Sequence, residues 1–105
     1  MAQISKSDWK LFKERVGVWQ ERYMEGLLRQ YAELIDSPTL ASERFWELEK
    51  RIKKDRRHIG VLIDLKKSEA VWDIAMYLKE KIITLKDLDG FSEELVEAVK
   101  VMMKT

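Results

Sequence analysis

Apolar side chains recur every three or four positions along most of this chain. Trp9, Phe12, Val16, Trp19, Tyr23, Leu27, Tyr31 and Leu34 form the first stripe, with charges on the other side, as in an amphipathic helix that buries one face. Ser7 is a candidate N-cap. The helix is expected over about 7–35, because Pro38 pushes its predecessor out of the α region. A second stripe, Phe45, Leu48 and Ile52 with Trp46 at its flank, predicts a helix over about 42–57 with these residues as its core face. Either Ser37 with Pro38 or Ser42 starts it. Val71, Ile74, Ala75, Leu78 and Ile82 predict a third helix within 61–82, broken near Ser68 or continuous. Its apolar residues cover much of its circumference, so it should be central. Residues 61–67 alone could be a strand, but a lone strand is not stable, so they are read as helical. Thr84-Leu85-Lys86-Asp87 resembles a capping box with Asp in the Glu position, opening a short turn over 84–89. Asp89-Gly90 reads as a tight turn, and Ser92-Glu93-Glu94 opens a last helix over 92–104. The pattern predicts an all-α fold: a small helical bundle of four main helices plus one short helical turn, with a long first helix, in a single domain over 1–105.

The first helix is long for such a chain. About 29 residues extend roughly 43 Å, while a domain of this size has a radius of gyration of about 13 Å. The helix therefore projects beyond its core, bends, or pairs with a second chain. Gly26 falls within the apolar stripe and is expected to admit a closely crossing helix, with a bend point as the alternative. Leu11 and Val18 lie seven residues apart on the charged side, as a candidate second contact surface. Trp9 and Trp72 are assigned to the core. Trp19 and Trp46, at stripe edges, are candidate anchors of a protein interface, where Trp is enriched.

Composition narrows the chemistry. The 105 residues include no Cys, which removes disulfide scaffolds, thiol nucleophiles and thiolate metal sites. One His removes centres that need two imidazoles. His58 is flanked by cations and reads as a helix-terminal residue rather than a general base. Paired acids such as Glu93-Glu94 do not form an inward-facing di-iron set, and Asp87-Leu88-Asp89-Gly90 lacks the rest of a calcium loop. No catalytic residue, cofactor or metal ligand is therefore assigned. The longest apolar run, Ile74–Leu78, is too short to span a bilayer. The N-terminal residues carry no leader-like apolar stretch, so a cytoplasmic location is expected.

Net charge is only +1, yet it is unevenly placed. Residues 1–36 are balanced, 42–67 carry nine basic against five acidic groups, and 68–105 carry five against eight. Lys50, Arg51, Lys53, Lys54, Arg56 and Arg57 concentrate the positive charge. They could bind nucleic acid or another polyanion. Helix electrostatics explain them more simply: Glu43, Glu47 and Glu49 come early and the cations late, as the helix dipole favours.

The segments Asp8–Phe12, Phe45–Lys53, Asp73–Ala75, and Ile83-Thr84 through Asp87–Leu95 resemble a group of helical bacterial proteins of about a hundred residues. That resemblance covers nearly the whole chain and implies no established activity, so it carries over no site. Such proteins are sometimes labelled transporters, which the lack of a membrane-length segment argues against. The expected function is a non-catalytic protein-interaction or adaptor module, acting on a protein partner or on itself as a homodimer. The alternative is polyanion binding through residues 50–57, and an enzyme using carboxylates alone ranks third.

Overall fold

In the computed structural model, which describes residues 4–104, helix α1 runs unbroken over Lys6–Ile35. Its cap is Ser5 rather than Ser7: Ser5 Oγ accepts from the Asp8 N–H at 3.1 Å. Helices α2 (Ala41–Asp55), α3 (Ala70–Lys79) and α4 (Glu93–Met103) follow, with 3-10 turns at Lys67–Glu69 and Leu85–Leu88. Among the described residues there is no strand. The fold is thus all-α, with four main helices and a long first one. The chain divides into two compact units, one formed by residues up to Trp19 with those from Asp64 onward, the other by Gln20–Ile63. Helix α1 contributes its first part to one and its second part to the other.

The first unit has a conventional core. Helix α3 buries seven of its ten residues and is its central element, as its wide apolar arc requires. Phe12, Ile74, Tyr77 and Val99 are fully enclosed. The Trp19 ring lies 6.1 Å from Phe12, 6.0 Å from Tyr77 and 6.4 Å from Phe91. Helix α3 stops at Lys79, short of the expected 82, because Lys81 turns left-handed at φ 59°. The Ile82 N–H then closes onto the Tyr77 carbonyl at 2.9 Å, the wide loop that ends many helices. Ile82 and Ile83 still reach the core.

Two polar anchors fix the ends of this unit. Asp8, nearly fully buried, accepts from the Ser92 N–H at 2.9 Å and the Ser92 hydroxyl at 2.5 Å. Ser92 Oγ in turn accepts from the Leu95 N–H at 3.2 Å, capping α4. Arg15 donates through Nη1 to the carbonyls of Asp87 and Asp89, and its guanidinium sits 5.3 Å over Phe91. Gly90 between them has φ 94°, a left-handed turn that glycine adopts without cost. The Thr84–Asp87 capping box forms as expected, with the Thr84 N–H donating to Asp87 Oδ2 at 2.8 Å.

Two expectations from the sequence need correction. Residues 62–66 are not helical. The Val61 and Leu62 N–H groups both turn back to the His58 carbonyl at 2.9 Å, and the run Val61-Leu62-Ile63 offers no polar face for a helix to expose. The chain does break near Ser68, in the 3-10 turn Lys67–Glu69 that precedes α3. Trp72 is half exposed rather than core, and Trp9 is only half-buried.

The second unit pairs the later turns of α1 with α2 through polar contacts. Tyr31 donates its hydroxyl to Asp55 Oδ2 at 2.5 Å. Burial foremost, then the bond to that carboxylate, pushes the phenol up to about 12. Arg44 donates to the carbonyls of Ile35 at 2.6 Å and Thr39 at 3.1 Å. The Tyr23 ring stacks on His58 at 4.9 Å, and a Cβ at Gly60 would stand 2.5 Å from that ring. The close approach in the fold is therefore at Gly60. At Gly26, where it was expected, nothing lies within 4 Å.

Candidate interaction surface

Helix α2 buries none of its fifteen residues. Arg44 and Asp55, eleven positions apart and so on one line of the helix, carry the described hydrogen bonds to α1 and to the connection after it. The apolar stripe runs beside that line, turned roughly a quarter of a revolution away. Phe45, Leu48 and Ile52 are thus not a core face, as the sequence suggested. Phe45 is 63% exposed and Ile52 44%, with Leu48 half-buried. Trp46, 64% exposed, meets Phe45 edge to face at 5.0 Å. Together Phe45, Leu48, Glu49, Ile52, Lys53 and Arg56 line an open apolar groove of about 380 Å³. Leu27 is the one large apolar side chain buried among the described residues of this unit. Leu28, Ile35, Leu40 and Leu62 are exposed.

The other residues singled out from the sequence fall in different places. Val18 is 64% exposed. Leu11 is half-buried against the Gly90 turn. Trp19, 3% exposed within its aromatic cluster, is core and offers no face to a partner. Lys50, Arg51, Lys53, Lys54, Arg56 and Arg57 are all exposed. Arg51 pairs with Glu47 at 3.6 Å, while Lys53 and Arg56 border the groove. The apolar stripe and two members of the basic block, Lys53 and Arg56, thus share one helix face.

His58 accepts from the Gly60 N–H through Nδ1 at 3.0 Å, holding the chain reversal after α2. No group of three His, Asp or Glu side chains among the described residues could hold a metal ion. No helix among them is long and apolar enough to cross a membrane.

Asp73 in α3 is 3% exposed, and its Oδ2 has no hydrogen-bond partner among the described residues. Burial first, then the charges of Glu69 and Asp64, push its carboxyl up to about 6. The folded state therefore holds this proton more tightly than the unfolded chain. The stabilisation is complete below about pH 4 and is lost as pH rises through about 6. Asp73→Asn removes the charged form. The variant is expected to be more stable than the parent by roughly 1–3 kcal/mol at pH 7.5 and to match it near pH 4. Urea unfolding at the two pH values measures this.

No protein-family model, curated protein or solved structure matches the chain. The functional reading thus stands on the geometry of α2.

Proposed function

We propose that this chain is a non-catalytic, cytoplasmic protein-interaction module that docks through the exposed face of α2. One observation carries the reading: Phe45, Trp46 and Ile52 stay in water on a helix that buries nothing. Leaving that stripe in water forgoes about 25 cal/mol for each Å² of apolar surface, and a partner laid along it would recover that energy. An aromatic pair with Arg56 at the groove's border also has the make-up of interface anchors. Binding of a polyanion through Lys50, Lys53, Lys54 and Arg57 has less support. Ile52 and Asp55 interrupt the cations, and phosphate contacts need no apolar groove.

Photo-cross-linking tests the reading. A benzophenone amino acid at position 46 is expected to give a discrete protein adduct in cells, and the same group at position 29, on α1, is not. The adduct's mass separates a second copy of this chain from another protein. An adduct carrying nucleic acid moves the assignment to polyanion binding. No adduct from position 46 contradicts a docking role for α2.

A further inference from the structure

We infer that the occupant of the α2 groove is the α2 helix of a second copy, packed antiparallel about a two-fold axis. This rests on the reading of α2 as an interaction surface and adds the partner. The inference starts from charge. Residues 41–49 carry three acids and one base, while 50–57 carry six bases and one acid. A parallel pair would stack the basic halves on each other. Of these charges Glu49, Lys53 and Arg56 border the groove, and an antiparallel pair sets Glu49 of each copy beside Lys53 of the other, which favours the pairing and fixes its direction.

The apolar stripe fits the same arrangement. Phe45, Leu48 and Ile52 follow the three–four spacing of a helix–helix seam. A two-fold axis near Lys50 sets Leu48 of each copy beside Ile52 of the other, and Phe45 near the far end at Arg56. The contact is self-complementary, as a two-fold interface must be. Two helical hairpins joined in this way make a four-helix arrangement. It supplies the apolar cover that the second unit, where Leu27 is the one large apolar side chain buried among the described residues, does not supply for itself.

The test is sedimentation velocity on the full chain across a range of concentrations, with two charge variants. One replaces Lys53 and Arg56 by Glu, and the other replaces Glu49 by Lys, the charged residues that border the groove. The parent is expected to dimerise. Each variant alone should associate at least about tenfold more weakly, since like charges now face each other. Their equimolar mixture should regain the dimer, which also shows that both variants fold. Direction is read by oxidation, which is clean in a chain without cysteine. Phe45→Cys mixed with Arg56→Cys should cross-link, while neither should cross-link with itself. A parent that stays monomeric overturns the dimer. So does a dimer that both charge variants keep, or self-cross-linking at either cysteine. A monomeric parent with a benzophenone adduct of a different mass removes the second copy but keeps the docking surface. The absence of any adduct removes both.

Discussion

Phe12→Ala is expected to lower the unfolding free energy by about 3–5 kcal/mol, as for other buried Phe truncations. Phe45→Ala, the same chemical change, is expected to cost less than about 0.5 kcal/mol in the dilute chain. Phe12 is fully enclosed, with its ring 6.1 Å from both Trp9 and Trp19. Removing it leaves a cavity that the surrounding rings cannot fill without leaving their rotamers. Phe45 is 63% exposed, so its truncation removes little area from contact and leaves no cavity. Domains are stable by only about 5–15 kcal/mol, so Phe12→Ala should unfold a substantial fraction of the protein at physiological temperature. Urea unfolding followed by circular dichroism reads both variants. Equal losses would mean that α2 has a core of its own.

Asp8→Ala is expected to cost about 2–4 kcal/mol. The Asp8 carboxylate accepts twice from Ser92, at 2.9 and 2.5 Å, in a nearly closed site. Hydrogen bonds to a charged group contribute about 1.5–3 kcal/mol each, and buried donors left without an acceptor add their desolvation cost. Ser92 Oγ must also accept from the Leu95 N–H to start α4. Loss of Asp8 therefore frees the rotor that caps this helix. Asp8→Asn keeps one acceptor oxygen and should fall between the parent and Asp8→Ala on the same urea curves. An Asn variant as unstable as the Ala variant would show that shape, rather than the acceptor pair, decides the site.

Much of this was legible in the sequence where a pattern has one physical meaning. The stripe positions Phe12, Val16 and Leu27 have only one period that fits them, and all three are buried. Thr84 with Asp87, and Ser92 before two acids, are local signals that act through bonds to neighbouring backbone, and both form. Ser5 and Ser7 both suit a cap, and two residues of backbone geometry decide between them. Amphipathicity of α2 showed that one face seeks cover but not whether this chain supplies it. Phe45 and Ile52 were placed in the core for that reason. The Arg44 and Asp55 contacts that turn the stripe outward depend on long-range partners, Ile35 and Tyr31. Trp72 and Trp19 sat equally near the edges of their stripes, and only the third dimension exposed one and enclosed the other. Gly60 rather than Gly26 is the tight spot because Tyr23 reaches across to it.

Helices α3 and α4 pack with the first turns of α1 into a closed core, while the proposed docking face of α2 stays exposed. Hydrogen exchange read by mass spectrometry tests this contrast directly in the dilute full chain. Amides of α3 are expected to exchange only through global unfolding, and those of α2 through local openings at rates at least about a hundredfold faster, since α2 has few buried contacts to resist opening. Raising the protein concentration should slow exchange in α2 selectively if a second copy covers it. Protection of α2 equal to that of α3 at the lowest concentration would contradict the account.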